Sequence, residues 1–296
     1  MGTPDFAVPV LDALVAAGHD VVRVVTQPDR PKGRGKKLTS PPVAIRAREL
    51  GIEVGQPKSV RVGSFQQRTR DLAPDIAVVV AYGRILPQAV LDIPTHGVVN
   101  VHASLLPRWR GSAPIQWAIA SGDCVTGVST QRVEVGLDTG PIYGEIKTDI
   151  GDRDTAADLH DRLSVLGAEL AVKTLANLKT PVPQDETLAT HAPMLSRLDG
   201  EIHWSKSAII LDQRLRGFTP WPGGYIMRAN GEKLKVISAL PVATAGTSGK
   251  ILGLDPLTIG CENGALVLTQ VQAAGKRAVS GRDFANGAHL RVGDLL

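Results

Sequence analysis

The chain has 296 residues, a formal net charge of +4 at pH 7, 43% hydrophobic and 21% charged residues. That length is enough for two domains with separate cores, and the composition is globular rather than disordered or fibrous. Only Cys124 and Cys261 are present, the seven histidines show no HxxxH spacing and no apolar run nears a membrane span, so the expectation is a cytoplasmic protein without disulfides, metal or membrane contact.

Positive charge is concentrated in two places. Residues 28–37 hold five basic groups and one acid, and from Asp199 to the end there are eleven basic and eight acidic residues. Such clustering suits a polyanionic partner, although a solvated basic surface gives the same signal.

Phe6 to Ala17 reads as a first helix, with Phe6, Val10, Leu11 and Leu14 on one stripe and Gly18 at its end. Val21 to Thr26 reads as a buried strand. In the basic loop that follows, Pro28 and Pro31 are expected to bar helix or ladder. Neither this loop nor Gly246 to Lys250 has the spacing of a phosphate-binding P-loop. A helix over Val43 to Leu50, a short segment over Ile52 to Val54, a helix over Phe65 to Asp71 and a strand over Asp75 to Ala81 come next. Alternation of strand and helix predicts an α/β fold with a doubly wound parallel sheet, in which ligands lie beyond the carboxyl ends of the strands.

The most informative stretch runs from Gly97 to Pro141. Gly97 to His102 reads as a strand that places Asn100, His102 and Ser104 on one face. Arg108-Trp109-Arg110-Gly111 makes a basic loop, Ala113 to Ala120 a helix, and Thr126 to Val133 a strand leading to Gly136-Leu137-Asp138-Thr139-Gly140-Pro141. Singly, an Asn, His or Asp in such places is usually structural. Together they supply an amide donor, an imidazole and a carboxylate, with no obvious Ser or Cys nucleophile beside them. The combination fits direct attack by a substrate's own nucleophile.

Thr155 to Leu178 reads as a long helix closing a first domain over 1–180. Residues 181–198 read as a linker. A domain over 199–296 contains short β-type runs at Leu234–Leu240, Gly249–Leu252, Leu257–Cys261 and Ala265–Gln272, spacing that suggests a small barrel.

Asn100-x-His102-x-Ser104-x-Leu106-Pro107, with Gly111, Pro114 and Leu137-Asp138-Thr139-Gly140, resembles the signature of folate-dependent formyltransferases. The fuller text HASLLPRWRG followed by APIQ resembles the branch of that family acting on methionyl-tRNA. The resemblance implies a Rossmann-like catalytic domain and a C-terminal OB-like β-barrel, whose text is matched around Trp204, Phe218 to Pro222 and Ala274 to Arg277. It implies 10-formyltetrahydrofolate as co-substrate, its pterin held by Tyr82, Ile85, Leu86, Ser104, Leu105, Leu106 and Pro107. It implies Asn100, His102 and Asp138 as catalytic residues, and Arg34, Lys36 and Lys37 as tRNA contacts on an inserted basic loop. The partner is then initiator methionyl-tRNA, met by a monomer. The barrel aromatics are expected to be core, leaving tRNA contact to basic residues.

A formyltransferase acting on glycinamide ribonucleotide or a nucleotide sugar shares the Asn-His-Asp set and lacks the basic loop and barrel. A nicotinamide oxidoreductase is disfavoured because no Gly-x-Gly-x-x-Gly follows a strand. A non-catalytic RNA-binding module leaves the Asn-His-Asp text unexplained. Relatives carry a short hydrophobic strand ahead of Gly-Thr-Pro-Asp-Phe, so the expectation is a natural start a few residues upstream of Met1.

Overall fold

A computed structural model of the chain describes residues 1–33, 35, 37–228 and 230–296. It divides into two units, one of Met1–Pro114, Val125–Asp149 and His160–Ala192, the other of Ile115–Cys124, Ile150–Leu159 and Pro193–Leu296.

A single 3-10 turn, Asp5–Ala7, leads into α1 (Val8–Ala16), where Pro9 stands in the first turn and needs no N–H partner. Phe6, Val10, Leu11 and Leu14 are buried, as their spacing predicts. Then come β1 (Val24–Val25), β2 (Arg30–Lys32), β3 (Lys37–Thr39), α2 (Pro42–Glu49), β4 (Val54–Gly55), α3 (Gly63–Asp71), β5 (Ala77–Val79), α4 (Gln88–Leu91), β6 (Val98–His102) and β7 (Arg110–Gly111). The chain continues through α5 (Pro114–Ala120), β8 (Val125–Arg132), β9 (Ile142–Asp149), α6 (Ala156–Ala176) and β10 (His191–Ala192). The basic stretch is a hairpin, β2 pairing β3 antiparallel with Pro31 opposite Leu38. Pro31 does not bar a ladder because each strand of a two-stranded ribbon keeps one side without partners, where a missing N–H is harmless.

The main sheet has the order β5-β6-β8-β9 and is mixed, correcting the all-parallel expectation. Only β5 and β6 run parallel; β8 is antiparallel to both β6 and β9. The connection from β8 to β9 is too short for a crossover helix, which forces the hairpin direction. One face of this sheet is apolar and meets α6: a Cβ on Gly167 would lie 3.0 Å from Val101 Cγ1, and Thr130 Oγ1 bonds Thr174 Oγ1 at 2.8 Å. The other face carries Asn100, His102, Ser129 and Gln131, since Asn100 pairs with Gln131 and His102 with Ser129.

β1 pairs β4 in parallel. Between β1 and β5 the ladder is one residue long: Gly2 donates its N–H to Val25 O at 3.0 Å, and Val80 donates to Met1 O at 2.9 Å. Below them lies a cavity of about 380 Å³ lined by Val22, Val24, Phe65, Leu72, Ile76 and Val78 among others. Burial pushes the Met1 α-ammonium down to about 5.

In the second unit, α7 (Ala208–Gly217) starts at Ser207, whose hydroxyl accepts from Ile210 N–H. β11 (Gly224–Met227), β12 (Lys233–Val242), β13 (Ile251–Leu254), β14 (Leu257–Gly260), β15 (Ala265–Ala273) and β16 (Val279–Ser280) form an antiparallel sheet of order β11-β12-β15-β14-β13, with β16 on β15. No pairing joins β11 to β13 among the described residues. Leu211, Leu215, Ile226, Leu234, Val236, Ile259, Leu268 and Phe284, the last from α8 (Gly281–Gly287), make its core. Phe218 is buried, Trp204 packs on this core with Nε1–H donating to Leu296 O, and Trp221 is 51% exposed. Trp221 thus departs from the expectation that these aromatics are core.

Candidate active site

β6 presents Asn100 and His102 two residues apart, and alternation along the strand sends both side chains to the polar face. Asp138 reaches them by an unexpected route. Because β8 runs antiparallel to β6, its carboxyl end lies beside Val99, at the far edge from the loop after His102. The 133–141 loop therefore folds back over the sheet face, instead of approaching along the strands' carboxyl edge. Its turn is tight: Asp138 has φ +55, and a Cβ on Gly140 would stand 1.7 Å from Arg132 O. Only glycine permits that approach.

The carboxylate of Asp138 organises what surrounds it. Oδ1 accepts from Gln131 Nε2 at 2.9 Å and from Asn100 Nδ2 at 3.3 Å; Oδ2 accepts the Gly111 N–H at 3.0 Å. His102 Nδ1 stands 3.7 Å from Oδ2, just beyond hydrogen-bond reach. The other ring nitrogen, Nε2, is 2.9 Å from Trp109 O. A carbonyl only accepts, so Nε2 carries a proton and the neutral ring has its lone pair on Nδ1, facing the carboxylate. His102 is 6% exposed. Trp109, at φ +62, bends the chain so that its carbonyl meets the imidazole.

The Ser104–Pro107 loop is held from beneath. Ser104 Oγ donates to Arg108 O at 2.6 Å, and buried Ser129 Oγ accepts from Leu106 N–H while lying 2.7 Å from Ser104 O. Ser104 and Leu106 are buried, with Leu105 and Pro107 partly exposed. The Tyr82–Pro87 loop follows β5, the parallel neighbour of β6, so both loops leave the same sheet edge. On it Ile85 is 65% exposed and Leu86 is buried. The Tyr82 ring lies in an apolar cluster with Phe65, Val79, Val90 and Val98, and burial pushes its phenol above the ordinary range. Gln27 Nε2 donates to the carbonyls of Tyr82 and Gly83, at 3.1 Å each, and Thr3 Oγ1 donates to Tyr82 O at 3.0 Å.

Arg34 and Lys36 lie outside the described residues; Lys37 is exposed at the start of β3. The base of this hairpin is anchored by Asp29, which accepts from Gln56 Nε2 at 2.7 Å and Ser40 Oγ at 2.9 Å. Those bonds, Gln56 foremost, hold its carboxyl below the usual range.

The structure thus brings Asn100, His102 and Asp138 together, and adds Gln131, Gly111 and Trp109, which the sequence alone does not single out as site residues. Gln131 has a visible signal: with Ser129 it forms an i, i+2 polar pair on one face of a buried strand. Among the described residues no group of three or more His, Cys, Asp or Glu is arranged to hold a metal ion.

Known proteins resemble this chain from end to end. Residues 1–175 match the formyl transferase family and residues 194–289 its C-terminal domain. Curated relatives include methionyl-tRNA formyltransferases of Roseobacter denitrificans and Ruegeria pomeroyi, each 48% identical over all of this chain and covering 97% and 98% of theirs. That of Geobacter metallireducens is 46% identical over 99% of this chain and 96% of its own. An N-formyltransferase from Helicobacter canadensis, solved with folinic acid and dTDP-3-aminofucose, shares the fold at TM-score 0.69 and 17% identity, covering 92% of this chain and 97% of its own. With matches spanning both units and relatives alike from end to end, the chain belongs to the formyl transferase family.

Proposed function

We propose that this chain transfers the formyl group of 10-formyltetrahydrofolate to the α-amine of initiator methionyl-tRNA, with Asn100, His102 and Asp138 carrying the step. The observation that supports it most is the carboxylate of Asp138, set against Asn100 at 3.3 Å and His102 at 3.7 Å in a chain 48% identical to named methionyl-tRNA formyltransferases.

A free α-amine titrates near 7.7–8.0, so a usable fraction is neutral at physiological pH. Its nitrogen bonds the formyl carbon, the carbonyl oxygen gains charge, and the bond from that carbon to folate N10 breaks. Asn100 Nδ2 is the donor for the developing oxyanion, a role typically worth about 3–4 kcal/mol. The amine must lose a proton and N10 must gain one. His102 Nδ1, bare in the neutral ring, takes the first and returns it, while Asp138 stabilises the ring in its charged interval. Nε2–H stays on Trp109 O throughout, so only one nitrogen exchanges protons.

The loops at 82–87 and 104–107 form the pterin wall in this reading, with Ile85, Leu105 and Pro107 offering apolar surface and Tyr82, Leu86, Ser104 and Leu106 shaping it from below. Arg34, Lys36 and Lys37 hold the tRNA backbone, and the sheet of residues 199–296, taken as the OB-like element, adds further basic contacts. Residues 1–180 then supply the chemistry, 181–198 the connection, and the enzyme works as a cytoplasmic monomer. The nucleotide-sugar alternative rests on neighbours about 17% identical that share the fold alone. Offering 10-formyltetrahydrofolate with charged initiator tRNA, glycinamide ribonucleotide or a dTDP-linked amino sugar separates them: only the tRNA should be formylated. Turnover on either small acceptor with none on tRNA would contradict the assignment.

A further inference from the structure

Gln184 stands in a Pro-rich stretch with no helical or strand periodicity, and it binds three parts of the site at once. Its Nε2 donates to Asp138 O at 2.8 Å and Gly140 O at 2.7 Å, and lies 3.3 Å from Gln131 Oε1. Its Oε1 accepts from Arg110 Nε at 3.0 Å and Nη2 at 2.8 Å. Arg has only donors and a carbonyl only accepts, so the carboxamide can stand one way round. Arg110 is 3% exposed, and its outer N–H groups meet Glu186 at 2.8 Å and 2.7 Å, a bidentate pair. The pairing leaves its mark on both partners: Glu186 is held below the ordinary carboxylate range and Arg110 above its own, each chiefly by this hydrogen bonding.

This matters because of what Asp138 is asked to do. A non-glycine residue at φ +55 persists only where its surroundings over-determine it. Gly140 against Arg132 O fixes one side of the turn. The two carbonyl bonds from Gln184 fix the other. The same arginine that orients Gln184 precedes Gly111, whose N–H holds Asp138 Oδ2. The main chain and the carboxylate of one residue are thereby set by one connected group of side chains.

We propose that Gln184 is a positioning residue for formyl transfer: clamped by Arg110 and Glu186, its carboxamide holds the Asp138 turn so that the carboxylate meets Asn100 and His102. The proposal rests on the reading of Asp138 given under the proposed function. Gln184 touches no reacting atom; it acts through Asp138.

Gln184→Glu keeps an acceptor for Arg110 and loses both donors to the turn. Its kcat for formylating methionyl-tRNA should fall about 10- to 100-fold with KM for both substrates within about twofold, and the melting temperature should hold. In an Asp138→Asn background, measured under single turnover, the same change should add less than about twofold, because groups acting through one another are not additive. Gln184→Asn, one methylene shorter, should show the same pattern and serves if Gln184→Glu does not fold. Wild-type kcat in these variants overturns the proposal. So does an undiminished effect in the Asp138→Asn background, which assigns Gln184 to general stability. Full activity of Asp138→Asn alone would instead remove the role of Asp138 itself, and the proposal with it.

Discussion

Asn100 Nδ2 lies 3.3 Å from Asp138 Oδ1, and that oxygen already takes a shorter bond, 2.9 Å, from Gln131. In the proposed mechanism the longer contact is the one given up: Asn100 turns its N–H toward the developing oxyanion while Gln131 keeps the carboxylate satisfied.

Asn100→Ala should therefore lower kcat for methionyl-tRNA formylation by about 10²–10³ with little change in KM. Steady-state kinetics on both substrates checks this. A raised KM with unchanged kcat would place Asn100 in binding instead.

The basic hairpin should matter for tRNA and not for folate. Replacing Arg34, Lys36 and Lys37 with Gln should weaken tRNA binding and flatten its dependence on salt, by up to about 0.9 in log–log slope per lost phosphate contact with duplex, and about 0.7 with single strands. Binding of the folate, followed by fluorescence titration, should stay within about twofold. Equal loss of both would assign the hairpin to the pterin pocket.

Asn100 and His102 were legible because period 2 puts them on one face of a strand, and that face stayed polar in the fold. The direction of β8 was not legible, since a strand's side-chain pattern is the same whichever way it runs. Asp138 arrives over the sheet face and not from the strands' carboxyl edge. β9 carries a period-2 signal only in its second half, where Gly144, Ile146 and Thr148 alternate with more exposed neighbours. Tyr82 shows another limit: in a loop no periodicity says where a ring points, and this one turns into the core. Gln184 left no pattern at all, because its partners are main-chain carbonyls brought near by folding.

Acid should loosen the Arg110 clamp. Glu186 is held below its ordinary value of 4.5 by Arg110, so the unfolded chain binds the proton more readily and stability rises with pH through that window. The contribution is present at neutral pH and disappears as pH falls through the depressed value. Melting temperature followed from about pH 6 to about pH 3 should show a decline that is smaller in Glu186→Gln. Identical profiles would mean that the pair contributes nothing to stability.

The most direct test of the account is single-turnover formyl transfer to charged initiator tRNA by Asp138→Asn. That change keeps the shape of the side chain and removes the charge that faces His102 Nδ1 at 3.7 Å. The rate should drop by about 10²–10⁴ while both substrates bind as in the wild type. A rate within about threefold of wild type would show that the carboxylate does not organise the chemistry.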